Sequence, residues 1–200
     1  MIFHLRACLV LLLSTLLLCS VLYPLVLLGV GKLAFPRKAE GSLVTVKGTD
    51  GRERVVGSEL LAQPFTDDEY FQPRPSQTDY SATGTFFSNR GPNSAVGRFF
   101  FRDALAAYLD LERKYDPRLT AAKVPVDAVT TSGSGVDPHI SKANARIQAH
   151  RIAAVRGLPL DRVNELIDQH TDGRFLGVIG EPGVNVLELN LALDKEAPAR

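Results

Sequence analysis

Residues 7–31 read ACLVLLLSTLLLCSVLYPLVLLGVG, a run of 25 positions without one charged side chain. This run decides the fold class. A helix rises about 1.5 Å per residue, so about 20 apolar residues already cross the hydrocarbon core of a bilayer. A cleaved signal peptide has a shorter apolar region, about 7–15 residues, and closes on a small-residue site that is missing here. Bulky Leu17 and Leu18 also precede Cys19, which argues against processing and lipidation at that cysteine. Pro24 inside the run kinks the helix or marks its outer end. The run therefore reads as an uncleaved transmembrane helix. The expected organisation is a flank over 1–6, the membrane helix over 7–31, a linker over 32–41 and one soluble α+β domain over 42–200.

Working outward, the charges beside the run are Arg6, His4 and the amino terminus on one side and Lys32, Arg37 and Lys38 on the other. By the positive-inside rule the larger count favours a cytoplasmic domain, although long domains translocate despite such charges. Arg6 is the only Lys or Arg before residue 32, so the remaining chain carries 22 basic residues against 22 acidic ones. A neutral domain has no net field to draw it to nucleic acid, which is excluded as a partner. Both cysteines, Cys8 and Cys19, lie in the apolar run, so the domain holds neither a disulfide framework nor a cysteine zinc site.

Within the domain, Ser42–Val46 and Arg52–Val56 read as a β-hairpin turning around Thr49, Asp50 and Gly51. Residues 64–92 carry turn formers and aromatics without a period, which predicts irregular packing or a binding surface. Helices are expected over Asn93–Tyr115, from an N-cap at Ser141 to Arg156 with Gly157 as terminator, and over Asp161–His170. Strands are expected at Val124–Thr130, Phe175–Ile179 and Val184–Leu193. The last alternates apolar and polar positions almost strictly.

The chemistry-bearing candidate is TTSGSGVDPHIS over 130–141. Its small residues could expose backbone N–H groups to a phosphate, but neither nucleotide fingerprint is met. The competing expectation is a rigid connector in which Asp137 and Ser141 cap the next helix. Ser134, Asp137 and His139 invite a nucleophile–base–orienter reading, yet triad members seldom sit so close in sequence. Asp137, His139 and His150 do not have a metal's ligand spacing, and no metal site is expected.

Five strings, in order, resemble one family. They are GSELLAQPF over 57–65, YFQPRPS over 70–76, SGSGVDPHIS over 132–141, AAVRG over 153–157 and GEPGVNVLELNLAL over 180–193. The chain is similar along nearly its whole length to the C subunit (KdpC) family of the Kdp high-affinity potassium-transporting P-type ATPase. Val136, Lys142 and the 83–87 stretch depart from the family pattern. The resemblance implies a non-catalytic, single-pass subunit of the inner membrane, needed for assembly and stability. Its partners would be a channel-like A subunit, a B subunit that uses ATP and Mg, and a small F peptide. Two further roles are implied: a domain outside the membrane over the potassium entrance, and a catalytic chaperone raising the pump's affinity for ATP. The residues it marks for partner or nucleotide binding are Ser132, Gly133, Ser134, Gly135, Asp137, His139, Ser141 and Gln148. Tyr70, Phe71, Arg74, Glu181 and Asn185 are marked for partner contact. The alternative expectation is a membrane-anchored periplasmic enzyme or binding protein.

Overall fold

The computed structural model describes residues 2–48, 50–91 and 93–198. The chain forms two compact units, Met1–Val56 and Gly57–Arg200.

The first unit is dominated by apolar helix. α1 (Ile2–Leu16) passes through a π-helical stretch, Leu17–Leu22, into α2 (Tyr23–Ala34). Pro24 accounts for the wider turn. It offers no N–H, and its ring would meet the carbonyl four residues back, so the helix opens just before it. Tyr23 N accordingly donates to Leu18 O, five residues back. Phe35 leaves helical geometry because Pro36 follows it. The continuous span His4–Ala34 is 31 residues long, with exposed leucines and valines all round. A helix apolar on every face finds its solvent in lipid. A short helix, α3 (Pro36–Ala39), precedes β1 (Leu43–Lys47), which pairs with β2 (Glu53–Ser58) as the expected hairpin. Gly48 N donates to Arg52 O across its turn, and Thr49 lies outside the described residues.

The second unit is built on a three-stranded antiparallel sheet in the order β3-β5-β4, formed by β3 (His139–Ile140), β4 (Thr171–Asp172) and β5 (Gly183–Asn185). Val184, in the middle strand, faces both Ile140 and Thr171. The other elements are α4 (Ala95–Glu112), α5 (Lys142–Arg156), α6 (Leu160–Gln169) and α7 (Val186–Glu196). α5 begins where Ser141 Oγ accepts from Asn144 N and stops where Gly157 takes a left-handed φ of 69°. Its Ala145, Ala149, Ile152 and Ala153 join Val163, Ile167, Leu189 and Leu193 in the core. The small residues let neighbouring elements approach closely.

Three expected strands are corrected. Val124–Thr130 instead holds a 3-10 turn, Val126–Ala128, preceded by another at Ala121–Lys123, because Pro125 has no N–H for a ladder while its carbonyl accepts from Ala128 N. Phe175–Ile179 folds back on itself through Leu176 and Gly177, at φ of 51° and 76°, leaving one isolated bridge between its ends. Val184–Leu193 is strand only to Asn185 and then helix. Val186, Leu189, Asn190 and Leu193 fall at the i, i+3, i+4, i+7 spacing of a buried helical face, and all four are buried. Asn185 caps the helix by accepting from Glu188 N at 3.2 Å.

The irregular segment after Pro64 is held by side chains. Phe71 N and O bond the Asn190 side-chain amide at 2.8 and 2.9 Å. Gln72 N and O bond that of Gln148 at 2.8 and 3.1 Å. Each amide thus acts as a strand neighbour for one residue. Arg151, wholly buried, donates to Glu112 Oε1 at 3.0 Å, to the carbonyls of Asp68 and Tyr70 at 2.5 and 2.9 Å, and to Gln148 Oε1 at 3.0 Å. Arg156 donates to the carbonyls of Glu69 and Ala197 and to Asp194, and lies 4.8 Å from the Tyr70 ring centre.

Arg151→Met keeps volume but strands the buried Glu112 carboxylate and two carbonyls. It is expected to lower domain stability by about 3–5 kcal/mol. Urea denaturation of the full chain in detergent, followed by near-UV circular dichroism, measures this; a loss below about 1 kcal/mol would show that the clamp is not needed.

Candidate functional site

The glycine-rich run reaches β3 by a path its own side chains determine. Ser132 Oγ accepts from Gly135 N at 2.9 Å and Ser134 Oγ from Val136 N at 3.2 Å. These hydroxyls therefore occupy the N–H groups of Gly135 and Val136, which a phosphate cradle would have to present. Ser76 Oγ donates to Gly135 O at 2.6 Å, and Ala62 N to Val136 O at 2.8 Å. Gly135 has φ +76°, and a Cβ there would lie 3.1 Å from Phe86 O and Thr78 Oγ1, so glycine is required by both conformation and space. The run is a connector stitched to the 62–78 segment.

Its charged end is a second network. Asp137 Oδ1 accepts from His139 N at 3.0 Å, so Asp137 closes a local turn rather than capping α5 as expected. That helix is capped by Ser141, whose N and Oγ both bond Asp127, at 2.8 and 2.7 Å. Asp137 also lies 3.4 Å from Arg74 Nη1, and Arg74 Nη2 donates to Thr131 O at 3.2 Å. The His139 ring is between two carboxylates, with Nδ1 3.6 Å from Asp137 Oδ1 and Nε2 3.1 Å from Asp172 Oδ2. Gly183 permits this, since a Cβ there would sit 3.1 Å from His139 Cβ. The hydrogen bond with Asp137 raises the His139 pKa; burial opposes it and Asp172 adds to it. Burial would raise the Asp137 pKa, but its bonds with His139 and the Arg74 charge bring it below the usual carboxylate value.

This geometry does not support the hydrolase reading. The Ser134 hydroxyl bonds Val136 N and lies 3.4 Å from the Ser132 hydroxyl, while both nitrogens of His139 face carboxylates. Asp137, His139 and His150 form no metal cluster, and no group of three potential ligands exists among the described residues.

A cavity of about 450 Å³ opens nearby, lined in part by Phe65, Pro75, Tyr80, Tyr108, Asn144 and Gln148. Among the described residues no charged side chain lines it. Gln148 Oε1 accepts from Gln72 N and Arg151, and its Nε2 donates to Gln72 O and Asn144 Oδ1. Asn144 in turn accepts from Tyr108 OH at 2.8 Å and donates to Asp127. Both ends of each amide are bonded within the protein, and the described lining of the cavity offers an anionic phosphate no countercharge.

The residues marked for partner contact separate by burial. Phe71 is fully buried in the core and Asn185 is buried at the cap of α7, where it also donates to Glu59 O, so neither presents a surface. Half-buried Tyr70 and Arg74 belong to the clamps just described, Tyr70 OH lying 3.2 Å from Asp194. Glu181 is exposed and pairs with Arg174. Glu112, Asp127, Arg151 and Asn190 were not legible as site residues. A lone arginine or asparagine on a helix reads as a surface residue until its neighbours in space are known.

The chain matches the model of the KdpC family, described as "K+-transporting ATPase, c chain", over residues 5–195. It is 48% identical to a potassium-transporting ATPase KdpC subunit from Sorangium cellulosum, with 97% of this chain and 98% of the relative aligned. Similar proteins of the same description occur in Caldanaerobacter subterraneus, 44% identical over 90% of this chain and 88% of the relative, and in Cereibacter sphaeroides, 47% identical over 96% of each.

The His139 network predicts a pH dependence with a definite sign. Its folded pKa is raised, so its stabilisation is complete below the unfolded value of about 6.5 and is lost as pH rises through the folded value. The stability difference between the native chain and His139→Gln is therefore expected to be full below about pH 6.5 and to shrink as the pH rises above it. Thermal unfolding at several pH values measures it; a difference that grows with pH would contradict the arrangement.

Proposed function

The chain belongs to the KdpC family, the c chains of K+-transporting ATPases, and we propose that it acts there as a non-catalytic subunit, anchored by one helix, that assembles and stabilises the complex. The observation that carries this reading is the inward commitment of the family-like strings and of α5, which joins the third of them to the fourth. The polar groups of Ser132, Ser134, Asn144, Gln148, Arg151 and Asn190 bond the protein itself. Such a domain supplies shape, and shape serves docking. The span His4–Ala34 supplies the second attachment, long enough to cross a bilayer beside other helices.

The partners in this reading are the channel-like A subunit, the ATP-hydrolysing B subunit with its Mg, and the F peptide, in the inner membrane. The domain stands on the outer side, over the potassium entrance. Lys32, Arg37 and Lys38 do not prevent this, because long domains translocate despite flanking charge. The nucleotide-chaperone role receives no support from the uncharged cavity beside Gln148.

Two measurements test the proposal. From potassium-limited cells, the tagged chain is expected to co-purify with two much larger polytopic subunits; recovery of the chain alone would overturn it. A cysteine replacing exposed Glu165 on α6, the domain having none of its own, is expected to react with a membrane-impermeant maleimide in intact cells. Labelling only after lysis would put the domain in the cytoplasm and revive direct action on nucleotide.

A further inference from the structure

Between β4 and β5 the chain forms a knuckle of apolar side chains. Phe175, Leu176, Val178 and Ile179 are 69%, 78%, 74% and 59% exposed. Together they form one exposed apolar patch, a feature that on soluble monomers is often functional. The knuckle has a defined shape. Phe175 N donates to Ile179 O at 2.8 Å and Ile179 N to Phe175 O at 3.0 Å, while Gly177 N donates to Arg174 O and Val178 N to Phe175 O. Leu176 is held at φ +51°, a conformation uncommon and unfavourable for leucine. Across the base, Arg174 Nη2 lies 3.2 Å from both Glu181 carboxylate oxygens. The backbone thus satisfies much of its own hydrogen bonding, and the flanking charges cancel. Both conditions suit a loop that enters a dry environment.

We infer that this knuckle is the docking element through which the domain seats in an uncharged, apolar cleft on a polytopic partner subunit. The inference rests on the accessory-subunit reading and identifies its contact surface. Three observations favour a protein cleft over lipid or a second copy. A fluid bilayer does not require a fixed shape, whereas this loop holds a leucine in a left-handed conformation to keep one. Arg174 is paired and Asp172 and Glu181 lie on either side, so nothing here attracts anionic headgroups. Four residues are far fewer than the roughly 20–30 a side of a stable free-standing interface, so a dimer through this loop alone would be weak. A membrane helix bound to the same partner raises the effective concentration and makes so small a contact sufficient.

The test uses the full chain in its assembled complex. A photo-crosslinking phenylalanine analogue at position 176 is expected to capture a large polytopic subunit, and the same probe at Glu165 is not. The double variant Leu176→Asn, Val178→Thr keeps the backbone, since asparagine tolerates the left-handed region, and removes the apolar tip. It is expected to weaken retention of the partner subunits on the order of tenfold with an unchanged circular dichroism spectrum. Crosslinks only to lipid, to a second copy or to nothing, in a complex that still co-purifies, would overturn the inference and leave the subunit reading intact. Failure of the unmodified chain to co-purify would instead overturn the subunit reading, and the docking claim with it.

Discussion

The rest of the domain depends on one buried guanidinium. Arg151 sits on the middle of α5, fully out of water, against an equally buried Glu112. A buried charge is tolerable only when paired and hydrogen-bonded, and here the same group that neutralises Glu112 also holds two carbonyls of the irregular segment. α4, α5 and residues 68–72 are therefore fixed together. Phe71 is carried into the core between α5 and α7, and Gln148 and Asn190 complete its flanking backbone bonds. A segment without helix or strand becomes as well specified as either, because side-chain amides occupy the places where a neighbouring strand would be.

That arrangement explains what could be read from the sequence. The hairpin, α4, α5 with its Ser141 and Gly157 ends, and α6 all have local causes: turn residues, caps and a 3.6-residue period. The C-terminal helix was misread because VNVLELNLAL satisfies both the two-residue and the helical period. Asn185 and Glu188 offered a capping signature, and leucines rather than β-branched residues dominate the run. Pro125 alone argued against the strand at 124–130. The clamps were illegible for a different reason. Glu112 is 39 positions from Arg151, and Phe71 is 119 from Asn190, so no window along the chain contains both partners.

The candidate site shows the same division. In the run at 130–141, Ser132, Ser134 and Gly135 bond within a turn and to the 62–78 segment. Asp137 and His139 do meet, and they meet Arg74 and Asp172 as well, forming an ionic stitch between β3 and β4. The five family-like strings are spread from residue 57 to residue 193. They meet around α5, β5 and the clamped segment, the first through Glu59 O and Ala62 N, so what they share is the construction of one rigid unit. Such a unit attached to a membrane helix suits a subunit that positions other proteins.

The amide hydrogens of Phe71 and Gln72 report on this construction most directly. In the full chain, native-state hydrogen exchange should find both protected nearly as strongly as the core amides of α5, opening only with the whole domain. Exchange at the rate of a free loop while α5 stays protected would contradict the account, because the segment would then be ordered by something other than Arg151, Gln148 and Asn190.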